Sequence, residues 1–360
     1  MSHRVRGCSP RELSGLTTVE VSGFLRCLLA IGTKGGVNWH CSGVIAWKGQ
    51  QQTWALFTRN SLNIPIFMKI FLVDGTYELF RHFYALPSIS DRNGREIGAV
   101  RGVVGSVLSM LVDEVTHIGV ATDHVIESFR NKLWPGYKSG AGIDPALLGQ
   151  FSFLEDALTS LGVMVWPMKE LEADDGLASA AACAITDQRV EQILICTPDK
   201  DLLQCVKGCR VVQLDRRTGT IRDANGVLTK LGVPPKSVPD YLALVGDTAD
   251  GFPGLVGWGA KSASLVLGRY SHLEAIPDNP ADWAVKIRGA KRLAEQLVRN
   301  RDLAIRFREL ATLRTNEALF ESVDELHWRG PKPEFLALCD VLKAPAYFKR
   351  ACSLAESRAL

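Results

Sequence analysis

The segment Gln192–Leu203, QILICTPDKDLL, constrains the fold more than any other stretch of the chain. Ile193 to Thr197 form a short apolar, partly β-branched run of the kind a strand carries when both of its faces are covered. Pro198 ends the run, and two carboxylates follow, Asp199 and Asp201, with Lys200 between them. In an open parallel sheet, ligands bind just beyond the carboxyl ends of the strands. Two acids held there repel each other unless a cation sits between them, and a divalent metal ion fills that role. Taken alone, the pair reads more readily as a solvated strand-to-helix loop, but the rest of the chain repeats it.

Lys69–Val73 (KIFLV) is a second buried-strand run, ending in Asp74 and Gly75 ahead of a helix with Tyr77, Phe80, Arg81 and Tyr84. Asp91–Gly94 reads as a turn. Apolar residues at Val100, Val103, Val104, Val107, Leu108 and Leu111 then predict a long helix. His117–Ala121 is a further strand, ending at Thr122 and Asp123. Leu147–Leu161 reads as a helix and Gly162–Trp166 as a strand. Glu172-Ala173-Asp174-Asp175 opens an alanine-rich helix running through Ile185. Acids in a first turn complement the helix dipole, but three in four residues exceed that need. Glu172 and Asp175 share a helix face if the turn is already helical there. Arg210–Leu214 is another strand, and Arg216–Gly219 a turn.

Two stretches break this regularity. Between Glu127 and Asp144, Phe129, Trp134 and Tyr137 alternate with Arg130, Lys132 and Lys138, and Pro135, Gly136, Gly140 and Gly142 interrupt regular structure. Aromatics for base stacking mixed with cations for phosphates suit a single nucleic-acid strand, although a mobile surface loop has the same composition. Farther on, Asp247 and Asp250 precede a glycine cluster at Gly251, Gly254, Gly257 and Gly259, and a helix begins near Ala260. A glycine turn at a helix N-terminus offers backbone N–H groups to a phosphate, or it is a tight helical hairpin without a ligand. Lys261 stands in the first turn, where the dipole disfavours it and a partner anion helps. The helices from Arg269 to Arg308 are basic, with Lys286, Arg288, Lys291, Arg292, Arg299 and Arg301, and the rest to Leu360 reads as helical covering.

Composition narrows the setting. The nine cysteines are scattered without a C-x-x-C pair, which fits a reduced cytoplasmic protein better than a disulfide framework or a structural zinc site. The chain lacks an apolar run of the roughly 20 residues that span a membrane. The net charge of +3 gains meaning once partitioned: with nine of the 39 acids gathered at one site, 42 cations face 30 acids elsewhere. A cationic surface around an acidic centre suits a polyanion cut by metal-dependent chemistry. Residues 1–67 differ, with seven Lys/Arg against Glu12 and Glu20 and no sustained periodicity. Phe24–Ile31, interrupted by Arg26, is a weak signal-peptide candidate, and a basic transit peptide is an alternative. The favoured expectation is a poorly ordered extension, with natural translation starting at Met68.

Together these residues resemble the 5′ nuclease family, the flap endonucleases and the 5′→3′ exonuclease domain of bacterial DNA polymerase I. The resemblance spans about Met68 to Leu310. It rests on LVDG at 72–75, Asp123, YK at 137–138, EADD at 172–175, TPDKDL at 197–202, GDTAD at 246–250 and PGLVGWG at 253–259, in that order. It implies an α/β fold, a mostly parallel central sheet flanked by helices (PIN-like), over 68–240, with an arch at about 127–146 for a 5′ end. A helix–turn–helix DNA-binding subdomain is implied at 241–310, and helical covering at 311–360.

The family's metal-binding acids carry over onto Asp74, Asp123, Glu172, Asp174, Asp175, Asp199, Asp201, Asp247 and Asp250. Arg81 and Lys138 match residues that contact the scissile phosphate region. DNA contacts are expected from Arg130, Lys132, Tyr137, Lys138, Gly254, Gly257, Gly259 and Lys261. Two Mg²⁺ ions are implied, with Mn²⁺ as a substitute and K⁺ at the Gly254–Gly259 turn. One ion is expected on Asp74, Asp123, Glu172 and Asp174, and the second nearer Asp175, Asp199 and Asp201, with Asp247 and Asp250 acting partly through water.

The expected activity is structure-specific cleavage of DNA at 5′ ends or flaps in replication and repair, by a monomer associated with the nucleoid. RNA primers are a further substrate, and no membrane is involved. A catalytically silent flap-binding relative and an RNase of the same nuclease-fold group are the alternatives. The chain departs from the family at Ala141, where many relatives have arginine, and at Gly251, where they have asparagine. With no polymerase-length segment following, the resemblance implies a stand-alone form. Lys200 is expected to turn away from its two neighbouring aspartates into a structural role.

Overall fold

Apolar runs that end in acids become the strands of one sheet in the computed structural model, which describes residues 68–359. The readings made for residues 1–67 lie outside the described residues. The strands are β1 (Met68–Asp74), β2 (His117–Asp123), β3 (Met164–Met168), β4 (Val190–Cys196), β5 (Val211–Asp215) and β6 (Thr220–Arg222). Their order is β3-β2-β1-β4-β5-β6, parallel throughout except for the antiparallel β5–β6 hairpin. The mostly parallel α/β sheet expected from the sequence is therefore present. The third strand starts two residues later than expected because Gly162, at φ +88°, still belongs to the turn before it. Both edges of the sheet are short: β3 carries Pro167, which has no N–H to offer, and β6 has three residues.

On one face lie α1 (Gly75–Ala85), α2 (Gly98–Val112) and α5 (Phe151–Ser160), with α12 (Phe335–Val341) and α13 (Pro345–Ala359) packed against them. The residues predicted for the inner stripe of α2, Val100, Val103, Val104, Val107, Leu108 and Leu111, are fully buried. Valine loses side-chain freedom in a helix, so packing rather than propensity forms α2. Its outer turns carry Gly102 and Gly105, where a Cβ would collide with His82 of α1 and with Tyr347 of α13. Bare backbone at these two positions lets three helices approach closely. The helix expected over Leu147–Leu161 is broken into α4 (Pro145–Leu148) and α5, with Gly149 and Gln150 between them. The opposite face is covered by α6 (Ala173–Ala184), rich in small residues and packed on β1 to β4.

A second apolar core is built by α8 (Val238–Val245), α9 (Ala260–Tyr270), α10 (Ala290–Arg299) and α11 (Arg301–Ala311), around Phe252, Trp258, Trp283 and Phe307. Two elements join it to the sheet: α3 (Phe129–Leu133), through Trp134 set edge-on to Phe307, and the 3₁₀ turn Asp201–Cys205, through Leu203. The remaining helix, α7 (Ala224–Leu231), follows β6 and is capped by Asp223.

The C-terminal stretch contributes core as well as covering. Trp328 is 2% exposed, its backbone N–H donates to the Thr116 carbonyl at 2.8 Å, and its Nε1–H donates to the Leu161 carbonyl at 2.8 Å. Trp328→Ala removes a large buried side chain and is expected to cost about 3–5 kcal/mol. Urea unfolding of the variant beside the wild-type chain measures it.

Candidate active site

Parallel pairing brings the acid-bearing strand ends side by side. Asp74 ends β1 and lies opposite Ala121 of β2, two residues short of Asp123, while Val73 pairs with Cys196, three residues short of Asp199. Strand order reverses across β1, between β2 and β4, which is where an open sheet leaves a crevice. Asp74 caps α1, accepting from the Tyr77 N–H at 2.8 Å and from the Thr197 hydroxyl at 2.9 Å. Asp123 accepts from the Ala173 N–H at 2.7 Å, which ties β2 to the start of α6 and brings Asp174 to the crevice. The Asp201 N–H donates to Asp199 at 2.9 Å, so the loop after β4 holds these two acids in fixed relation.

A second acidic group forms on the far side of that loop. Carboxylate oxygens of Asp201, Asp247 and Asp250 all lie within 4.8 Å of one another. Asp247 and Phe252 pair across a tight loop through reciprocal backbone bonds of 2.8 and 3.0 Å. Gly251 makes this loop possible at φ +81°, and a Cβ there would strike the Gly136 carbonyl. The segment Trp134–Lys138 is seated directly on the loop: the Lys138 N–H donates to the Asp250 carbonyl at 3.0 Å, and Trp134 Nε1–H to the Gly251 carbonyl at 3.0 Å. Glycine at position 251 thus sets the approach of the Trp134–Lys138 segment as well as the turn.

Residues 127–146, where an arch is expected, are packed more closely than their composition suggests, and several contacts expected there are corrected. Arg130 is 1% exposed, so it does not face a DNA strand. Its guanidinium donates to both oxygens of Asp175 at 2.7 and 2.8 Å, to Glu172 at 3.0 Å, and to the carbonyls of Leu310 and Thr312 at 2.7 and 3.2 Å. Asp175 also accepts from the backbone N–H groups of Glu172 and Arg314. With both oxygens engaged in this way, Asp175 is a structural ion-pair partner in this geometry, not an open ligand. Tyr137 is likewise buried and donates to Glu172 at 3.2 Å, which removes it from stacking on a base. Glu172 additionally accepts from Ser128 at 2.7 Å and meets Lys138 Nζ at 2.8 Å. Lys138 also reaches Asp250, at 3.1 Å, and so points into the acidic centre.

The other expected residues sort by exposure. Lys132, Gly257 and Lys261 are exposed and Gly259 is half-buried. Gly254 is buried, with no room for a Cβ against Leu244, Val245 and Gly246, so its glycine serves close packing. Arg81 is half-buried beside Glu78, which also pairs with Arg216 at 3.3 Å. Lys200 forms no ion pair with its sequence neighbours, as expected, but its Nζ lies 2.6 Å from Asp247, inside the site. Sequence reading missed this contact and the Arg130–Asp175 pair because neither partner is near in sequence.

Charge is unevenly balanced across the centre. Burial raises the Asp74 carboxyl to about 7, with Asp123 and Asp199 adding to the effect against its hydrogen bonds. Burial also pushes Asp123 up, and Asp174 well up, the latter reinforced by Asp199 and Asp74. Asp201 is raised by burial and then by Asp199, Asp250 and Asp247, and its Oδ1 is buried without a hydrogen-bond partner. Burial alone would raise Glu172 too, but Lys138 and Arg130 hold it below the ordinary carboxylate range. Uncompensated carboxylates, one with a bare buried oxygen and no His or Cys among them, fit a hard divalent cation that takes oxygen ligands.

Two family models match nearly all the described chain: the 5′-3′ exonuclease N-terminal resolvase-like domain over residues 69–232, and the 5′-3′ exonuclease C-terminal SAM fold over 233–334. The chain belongs to the 5′-3′ exonuclease family. It is 34% identical over 275 residues to DNA polymerase I of Pseudomonas aeruginosa, covering 74% of this chain and 29% of that protein. It thus spans less than a third of the length of that polymerase. A 5′-3′ exonuclease of Buchnera aphidicola is 28% identical over 249 residues, covering 68% of this chain and 86% of that one.

Solved structures share the fold. A bacteriophage T5 flap endonuclease in complex with DNA and metal ions has a TM-score of 0.54 at 18% identity, covering 80% of this chain and 99% of that one. Flap endonuclease-1 of Methanococcus jannaschii has a TM-score of 0.52 at 15% identity, covering 82% and 94%. The resemblance read from the motifs, a 5′ nuclease family with hydrolase members, is therefore borne out. Among the described residues, no helix is long and apolar enough to cross a membrane.

Two predictions follow from this charge distribution. Arg130→Met leaves Asp175 buried without a cation and Glu172 with Lys138 alone, and is expected to cost about 3–5 kcal/mol, with part regained in Arg130→Met/Asp175→Leu. A denaturant double-mutant cycle measures both. A carboxyl whose folded pKa is raised supports the fold while it keeps its proton, and that support is lost as pH rises through the folded value. With Asp74 raised to about 7, metal-free protein is expected to melt lower at about pH 8 than at about pH 5. A saturating divalent cation should shrink that difference, as read by calorimetry in EDTA and in metal.

Proposed function

We propose that this chain is a structure-specific 5′→3′ exonuclease and 5′-flap endonuclease that hydrolyses DNA phosphodiester bonds in replication and repair, using two Mg²⁺ ions. The observation that carries this reading is the convergence of uncompensated acids from three strand ends and a helix start, with Asp201 Oδ1 bare and buried. Asp74, Asp123, Asp174 and Asp199 would hold one ion, and Asp201, Asp247 and Asp250 the other. Glu172 and Asp175 would act mainly by holding Arg130 and Lys138 in place. When bound, two such ions activate water and stabilise the leaving oxygen in an in-line displacement.

The chain's own residues supply position. Arg81, on the helix that Asp74 caps, and Lys138, at the arch base, would meet phosphates of the strand being cut. Lys132 would meet the strand farther out. Residues 241–310 would grip duplex phosphate through the Gly257–Gly259 turn and Lys261, with K⁺ a candidate ligand of that turn. Contacts of this kind read backbone shape rather than base sequence. A T5 flap endonuclease of the same fold forms a complex with DNA and metal ions, which supports DNA and metal as the ligands here.

The test is cleavage of a labelled 5′-flap DNA with Mg²⁺, comparing wild type with Asp199→Asn. Loss of a ligand that stabilises transition-state charge is expected to slow turnover by about 100-fold or more. A wild-type protein that binds the flap and never cuts it would overturn the reading. Faster cutting of an RNA hairpin would redirect it to RNA.

A further inference from the structure

The two acidic groups differ in what neutralises them. Among the described residues, no Lys or Arg forms an ion pair with Asp74, Asp123, Asp174 or Asp199. The other group holds two ammonium ions: Lys200 Nζ at 2.6 Å from Asp247, and Lys138 Nζ at 3.1 Å from Asp250. These reach the Asp201–Asp247–Asp250 trio from separate elements, the loop after β4 and the arch base. Within the trio only Asp201 lacks a cation, and its Oδ1 is the buried oxygen without a partner.

We propose that Lys138 and Lys200 are resident cations of this half of the centre, and that a divalent ion enters the trio tightly only when their ammonium groups leave it. The proposal rests on the reading of the acids as metal ligands. Its physical basis is competition between like charges. An ammonium within hydrogen-bond distance of a carboxylate both occupies that oxygen and repels an arriving cation, and both effects are strong where water is largely excluded. The trio's charge is offset by Lys200 and by Lys138, the latter shared with Glu172, whereas the open group presents four acids without an ion-pair partner.

What draws the lysines away is also defined by the geometry. The Lys138 side chain is about one-third exposed and that of Lys200 slightly more, so both can swing outward without unpacking the core, Lys138 giving up its 2.8 Å contact with Glu172 as well. The ligand that would attract two adjacent ammonium groups is a polyanionic backbone. Nucleic-acid phosphates arriving at the crevice would take up the lysines and free Asp247 and Asp250 together. Substrate thereby completes the second cation site, and free protein holds one ion more tightly than the other. Lys200 is in this account a positioning residue for the second ion, because it acts through Asp247 rather than on the substrate bond.

Mn²⁺ binding to the full chain without DNA, counted by electron paramagnetic resonance, tests this independently of turnover. Wild type is expected to show one tight and one weak site. Lys200→Met, at a half-exposed position, should tighten the weak site about tenfold or more while leaving the tight one unchanged. Lys200→Arg, which keeps the charge, should leave it weak. An uncleavable flap DNA added to wild type should tighten the weak site as the methionine variant does. A weak site that is unchanged or weakened in Lys200→Met overturns the proposal, since Lys200 would then merely hold Asp247 in place. If wild type binds no Mn²⁺ and cuts no flap, the reading of the acids as metal ligands fails instead.

Discussion

Repulsion among buried carboxylates is the constraint that the rest of this structure accommodates. A parallel sheet delivers Asp74, Asp123 and the Asp199–Asp201 loop to one end, where burial raises the proton affinity of Asp74, Asp123 and Asp201 and neighbouring carboxylates add to it. No apolar packing relieves such a cluster; it needs protons, lysines or metal ions. Its neighbours divide along that line. Glu172 and Asp175 are bound into the body by Arg130, while Asp74, Asp123, Asp174 and Asp199 stay without a cation of their own. One guanidinium thus divides the acids of a single EADD motif, taking Glu172 and Asp175 and leaving Asp174 unpaired.

Arg130 also links parts of the chain that are remote in sequence. It connects α3 to the start of α6 and, through the Leu310 and Thr312 carbonyls, to the end of α11. An ion pair buried this completely offsets a large desolvation cost only if every polar atom is satisfied, and here five protein oxygens receive it. The segment after α3 therefore has a fixed seat: Trp134, Gly136 and Lys138 rest on the Asp247–Gly251 loop.

Much of this was legible in the sequence, and the reasons for success and failure are physical. Strand runs stopped by acids and the valine stripe of α2 are local patterns with a fixed period, so they survive folding unchanged. Arg130 and Tyr137 were misplaced because an aromatic-and-cation mixture broken by glycine reads as exposed whether it binds DNA or packs. Their partners, Asp175 and Glu172, lie more than thirty residues away and carry no local mark of pairing. Strand-like alternation predicts that Lys200 turns away from its neighbours, but the chain turns after Pro198 into a 3₁₀ helix and directs the side chain to Asp247. The break at Gly149–Gln150 was overlooked because apolar spacing continues across it.

The sheet's two margins bear on how such a protein meets other chains. Pro167 interrupts the donors along β3, and β6 is three residues long and followed at once by a capped helix. Unpaired strand edges invite addition of a foreign strand, and here neither margin offers a run long enough to template one. Any flexible chain that meets this sheet therefore finds side chains and loops at its margins, and the backbone ladder stays closed to company.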